Sequence, residues 1–393
     1  MTTTSARRLR LVLSQLVEPG DPRLVALLRS HSVGEIVDAG IHGRPLGGSV
    51  LPEVWRLRAP GVLDRTAALA GRAGQLGLRW VCPGDDAWPE RLVDLDATAP
   101  ISGTTGAPLG LWTRGTARLD ELVARSVAIV GARAATTYGS DVAMDIAGDV
   151  ADAGHTVVSG AAYGIDACAH RGALALGAPT LAVLACGADV DYPRAHAGLL
   201  QRIAAGGLVV SEQMPGQTPT KGRFLSRNRI IAAITGGTVV VEAARRSGAL
   251  NTLNWASELG RVAMGVPGPV TSQASVGVHQ SLRSGQSMVV TSGAEVIEAV
   301  GEIGATDATL EWSPSTALDE LQRGSRIVLE AVSARDAEPT EVIASRISCA
   351  TDDALTVLAD LCAAGWVEQV GSGWRLRRRA DLSPGQQGHT VAR

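Results

Sequence analysis

Phenylalanine occurs once in these 393 residues, tyrosine three times and lysine once, so the core must be aliphatic and nearly every cation is an arginine. Cysteine is scarce as well. Cys82, Cys168, Cys186, Cys349 and Cys362 lie far apart, with no Cys-x-x-Cys pair and no histidine at metal-ligand spacing. That excludes a disulfide scaffold and a zinc module, and predicts lone core thiols in a reducing compartment, with no metal and no cofactor. A membrane span is not expected: the uncharged run Gly172 to Ala188 is broken by Gly177 and Pro179 and reads as a helix end, a turn and a strand. Arg7, Arg8 and Arg10 precede an apolar stretch too short for a signal peptide, so the expectation is a cytoplasmic protein. The net charge of −3 excludes a protein that coats nucleic acid with its whole surface, and any such site must be local.

What is present is a folded, multidomain composition, 45% hydrophobic and 19% charged, with 46 glycines for tight turns. Residues 1–75 carry helical spacing, as in Leu9, Leu13, Leu16 and Val17, and predict a small helical domain. A Gly/Pro-rich connector with Trp88-Pro89 follows. From Ser126 apolar strands alternate with helices: strands 126–130, 156–159, 181–184, 208–211, 238–242, 262–266 and 288–291, with a helix 225–234 before the fifth. This rhythm over 76–304 predicts an α/β domain, a doubly wound parallel sheet covered on both faces. A polar linker at 305–317 leads to three helices and a terminal hairpin within 318–380, a winged helix-turn-helix pattern, and 381–393 reads as a disordered tail.

In such a sheet ligands bind at the carboxyl ends of the strands, where helix N-termini present free N–H groups. Three turns there are rich in small residues: Gly131 to Gly139 with Arg133 and Tyr138, Ser159 to Asp166 with Gly160, and Ser247-Gly248 opening a late helix. Together they favour a phosphate-bearing ligand, although neither the GxGxxG nor the GxxxxGK[ST] signature is met. The sharper feature is Lys221-Gly-Arg223-Phe224-Leu-Ser-Arg227-Asn228-Arg229. It places four cations and the chain's single phenylalanine within nine residues, inside a stretch from Gln213 to Val241 that has no acid. Cations along a backbone with a ring beneath a base is the pairing of single-strand binders, while Phe224 as a core ring is the plainer alternative. Asp166 and His170, four apart on a helix, read as a capping pair. No nucleophile with a nearby base is evident, which leaves Glu242, at a strand end, as the one candidate for chemistry.

These residues resemble the DNA-processing protein A (DprA/Smf) family. The ordered matches are Val130-Gly-Ala-Arg133 with Tyr138-Gly139, Ser159-Gly160 through Ala169-His170, Tyr192-Pro193, Ser211-Glu212, Phe224-Leu-Ser-Arg227-Asn-Arg-Ile-Ile231, Val241-Glu242 with Ser247-Gly248 and Thr252, and Val266-Pro267-Gly268. The sequence departs from the family's pattern at Ala132, where Ser is frequent, and over Ser281 to Gln286. The resemblance implies a Rossmann-like central domain flanked by an N-terminal helical domain of sterile-alpha-motif or helix-hairpin-helix type and a winged helix. It implies a non-catalytic, homodimeric protein that binds and protects incoming single-stranded DNA in natural transformation and helps load the RecA recombinase. DNA contacts are then expected from Arg133, Tyr138, Gly160, Lys221, Phe224, Arg227, Asn228, Arg229, Ser247 and Gly248, and dimer contacts from 277–292. Two rivals remain at this level. One is a nucleotide phosphoribohydrolase similar to the lysine-decarboxylase-like LOG group, although Gly236-Gly237-Thr238 and Glu242 stand displaced from that group's motif. The other is a transcription regulator, although its recognition helix would carry Asp352, Asp353 and Asp360 with no base.

Overall fold

The computed structural model describes residues 3–301 and 321–377, which fall into two compact units. The linker 305–317, the start of the third domain at 318–320 and everything from 378, including the expected tail, lie outside the described residues.

The first unit begins with five helices: α1 (Thr3–Leu16), α2 (Pro22–Leu28), α3 (Val33–His42), α4 (Glu53–Arg58) and α5 (Val62–Gln75). Their starts are written locally. Asp21 accepts from Arg23 N, and Ser32 and Glu35 form a reciprocal capping box. Leu13, Leu16, Ile36 and Trp55 are buried together with Leu109 from the following domain.

A nine-stranded sheet follows: β1 (Arg79–Val81), β2 (Leu111–Gly115), β3 (Ser126–Val130), β4 (Thr156–Ser159), β5 (Thr180–Leu184), β6 (Leu208–Ser211), β7 (Gly237–Val240), β8 (Val262–Gly265) and β9 (Met288–Val289), in the spatial order β1-β2-β6-β5-β4-β3-β7-β8-β9. From β6 to β9 the pairing is parallel, as the unbroken apolar strands predict. The connector adds two strands that the sequence pattern does not reveal. β1 and β2 are antiparallel, with Trp112 opposite Ser211 of β6. They are short and carry Arg79 and Arg114, and the pairing of β2 to the edge of β6, and of β1 to β2, decides their conformation where propensity does not.

The intervening helices are α6 (Leu119–Ala124), α7 (Thr137–Asp152), α8 (Ile165–Ala175), α9 (Ala197–Gly206), α10 (Lys221–Ile234), α11 (Gly248–Glu258), α12 (Val276–Arg283) and α13 (Gly293–Val300). Ile146, Val150 and Ala169 of α7 and α8 cover one face of the sheet, and Ile230, Ile231, Leu253 and Trp255 of α10 and α11 cover the other. A fully buried Ile or Val in such a layer contributes about 1.5–3 kcal/mol. α7 and α8 touch closely at Gly172, where a Cβ would stand 2.5 Å from the Met144 carbonyl oxygen.

The second unit holds α14 (Arg323–Ala331), α15 (Thr340–Arg346) and α16 (Thr351–Ala363) with a small sheet of β10 (Glu338–Pro339), β11 (Val367–Val370) and β12 (Gly373–Leu376), ordered β10-β12-β11. Val328, Ile343, Leu358, Leu361 and Trp374 form its core, and Trp374 Nε1 donates to Thr340 Oγ1 at 3.0 Å. Among the described residues no helix is long and apolar enough to cross a membrane. Cys82, Cys168 and Cys186 are buried thiols, and Cys349 and Cys362 are half-buried ones.

Candidate nucleic-acid interface

Strand order reverses between β3 and β7, so the loops leaving their carboxyl ends diverge and open a crevice. Backbone packs on backbone there. Gly164 has φ +75°, and a Cβ on it would lie 2.2 Å from the Ala132 carbonyl oxygen. Glu242, at the end of β7, is buried and turned away from the crevice. Its carboxylate accepts from Thr136 N at 3.0 Å and Thr136 Oγ1 at 2.5 Å, in space that exists because Gly139 has no side chain. It therefore ties the start of α7 to β7. Asp166 accepts from the amides of Gly160 (3.2 Å) and Ala162 (3.4 Å), and burial pushes its pKa up against the opposing pull of Arg227. His170, paired at 2.8 Å with Thr180 Oγ1, is driven by burial down to about 3 and is neutral.

The crevice broadens into a cleft of about 980 Å³. α10 begins four residues before the expected 225, because Thr220 Oγ1 caps it by accepting from Arg223 N, and this sets Lys221 on the exposed first turn. Phe224 follows one turn later, half-buried, with the Arg133 guanidinium 4.6 Å from its ring centroid and the Tyr192 ring 6.0 Å away. That geometry corresponds to a cation–π pair of about 0.5–1 kcal/mol at an exposed site. Arg227 is buried beneath them and donates to the Val183 carbonyl oxygen at the end of β5. It passes so close to Gly160 that a Cβ there would lie 1.8 Å from Nη1. Asn228 receives Arg227 Nε and donates to Gly248 O and Asn251 Oδ1, each at 3.2 Å, which locks α10 to the start of α11. Ser247 caps α11 through Ala249 N. Around Gly248 there is open space, with no atom within 4 Å of where a Cβ would be.

The cleft thus brings together Arg133, Lys221, Phe224, Arg227, Asn228, Ser247 and Gly248, while Gly160 floors an adjoining recess. Two expected contacts stand elsewhere. Tyr138 donates its hydroxyl to the Pro267 carbonyl oxygen at 2.5 Å, outside the cleft lining. Arg229 is fully buried, bidentate to Glu212 at 2.8 Å in both arms and bonded to the carbonyls of Gly106 and Ser226. Helical geometry turns it about 200° from Arg227, into the layer against the sheet domain's connector, so it is corrected from a ligand contact to an internal ion pair. Sequence reasoning passed over Arg245 and Arg246, both exposed on the cleft wall and adjacent to the Ser247-Gly248 turn that it did select. It also passed over Tyr163 and Tyr192, which line the recess beside Phe224 and lie far from it in sequence.

Fold and cleft together define a Rossmann-like α/β protein with a basic, glycine-rich crevice at its topological switch point. The sequence profile of the DNA recombination-mediator protein A family matches residues 79–301, and the chain belongs to this family. It is 42% identical over 373 residues, 93% of each chain, to a Mycobacterium tuberculosis protein provisionally named DNA processing protein DprA. It is 34% identical to protein Smf of Escherichia coli over 71% of this chain and 74% of that one. The X-ray structure of DprA from Streptococcus pneumoniae superposes with a TM-score of 0.58 at 31% identity, covering 76% of this chain and 98% of that one.

Proposed function

We propose that this chain binds single-stranded DNA in the cleft, protects it and passes it to the RecA recombinase during natural transformation, in the cytoplasm and without catalysing a reaction. The observation that carries the reading is the charge of the cleft wall. Four exposed cations, Arg133, Lys221, Arg245 and Arg246, with Arg227 buried beneath them, face a single acid, Asp166, which is already taken up by backbone amides. A half-buried ring among cations suits a base stacked over a neutralised backbone. The carboxylates that hydrolysis would need are engaged: Glu242 holds Thr136, and Glu212 holds Arg229.

A homodimer through 277–292 is supported by β9, an edge strand whose Met288 and Val289 are about half exposed. The second unit fits a winged helix. Asp352, Asp353 and Asp360 on the exposed face of α16 and the Arg375–Glu368 ion pair favour a protein contact over duplex reading. Titration of the purified protein with labelled single-stranded and duplex oligonucleotides across salt tests the reading. Single strands should bind more tightly, with log affinity falling linearly in log salt at roughly −0.7 per phosphate neutralised. Salt-independent binding, or preference for duplex, overturns it.

A further inference from the structure

The cleft is not closed at the start of α10. Thr220 is shared between the cleft and a trough of about 590 Å³, and that trough shares Glu18, Pro19 and Arg223 with a groove of about 710 Å³ against the N-terminal helices. The groove is basic. Arg58 of α4, Arg65 and Arg72 of α5, and Arg223 of α10 converge on it. Of its two acids, Glu212 is consumed by the internal Arg229, and Glu18 stands between Arg58 (3.0 Å) and Arg223 (3.3 Å). Arg65 donates to the carbonyls of Arg58 and Pro60, which fixes its position without cancelling its charge, and Arg72 forms no salt bridge among the described residues. A solvated helix face would mix signs more evenly. Leu57, 73% exposed, and Leu69 add apolar surface to the same groove. Between groove and cleft, Gly222 on the first turn of α10 has nothing within 4 Å of where a Cβ would lie, so a chain can cross close to the helix backbone.

We infer that the N-terminal helices carry a second segment of the nucleic-acid path. A single strand leaving the cleft at Thr220 crosses Gly222 and lays its phosphates against Arg58, Arg65, Arg72 and Arg223. The inference rests on the cleft binding single-stranded DNA. Continuity with the cleft favours the same polyanion over an acidic polypeptide, since a strand long enough to leave the cleft at this end meets these arginines next.

The test uses the full-length protein and oligothymidylates of about 6 and about 25 nucleotides, one that fits within a single groove and one that exceeds it. Arg72→Glu should weaken the long oligonucleotide about tenfold and reduce its salt slope, while the short one changes less than about twofold. Glu18→Gln, which removes the acid between two arginines, should tighten the long oligonucleotide several-fold and leave the short one alone. Melting curves confirm that both variants are folded, and if Arg72→Glu is not, Glu18→Gln decides. Unchanged affinity for the long strand in both variants, with Lys221→Ala weakening both lengths, overturns the extension alone. Failure of the unsubstituted protein to bind either length overturns the cleft reading and the extension together.

Discussion

Lys221 and Phe224, on the first turns of α10, stand at the mouth of the cleft, whereas Arg227 and Arg229, only a turn or two further on, are inside the protein. The outer pair has few obligations to the fold. The inner pair has many: Arg227 reaches the end of β5, and Arg229 satisfies Glu212 and two carbonyls. From Ser226 to Ile234 every residue of the helix is buried, so polar side chains there must find internal partners. A dense run of cations can therefore serve two purposes at once, and burial rather than charge decides which residue does which.

Substitutions that separate the two ends should differ most in stability. Arg229→Ala leaves Glu212 without its partner and is expected to cost roughly 3–5 kcal/mol by denaturant unfolding, with normal DNA affinity in the molecules that remain folded. A stable Arg229→Ala with weakened binding would erase the distinction. The buried end also predicts a pH dependence. His170 is held near 3 when folded against about 6.5 unfolded, so the native state binds fewer protons, and the associated stability is present above pH 6.5 and lost as the pH falls. The slope approaches about 1.4 kcal/mol per unit below pH 6.5, or about 2 kcal/mol in all between pH 7 and pH 5. His155, also depressed by burial, adds in the same direction. Asp166, whose pKa is raised, acts in the opposite sense above the unfolded carboxylate range, so comparing unfolding at pH 7 and pH 5 in His170→Gln isolates the histidine.

At the outer end the effects move to binding. Phe224→Leu should lower single-strand affinity by about 1–3 kcal/mol with the melting temperature nearly unchanged. A large stability loss with normal binding would place Phe224 with the inner residues. Lys221→Ala and Arg133→Ala should each weaken binding uniformly across sequences and flatten the salt slope by about one contact, the smallest change of the series. Unchanged affinity in both variants would move the site away from the outer end.

The alternation of β3 to β8 with their helices is legible in the sequence because strands inside the sheet, covered on both faces, are unbroken apolar runs. β1 and β2 are not, since β2 is set by pairing to β6, more than 90 residues away, and β1 by pairing to β2. The same division holds in the site. Lys221 and Phe224 stand out as the only residues of their kind, and the glycine turns declare themselves by composition. Arg229 misleads because α10 has no apolar stripe to show which side faces inward. Tyr163 and Tyr192 reach the recess from loops after β4 and β5, and only the assembled sheet brings them beside Phe224.

The empty surroundings of Gly248 have a thermodynamic consequence. A glycine on the first turn of a helix, with room for a methyl group and nothing to collide with, leaves the free protein about 0.5–1 kcal/mol less stable than alanine would. Folding alone gives no reason to keep it. The proposed function supplies one: a phosphate drawn close to the amides at the start of α11 would need the space that a methyl group occupies. On the proposed reading, Gly248→Ala should therefore raise the melting temperature of the free protein while weakening single-strand binding.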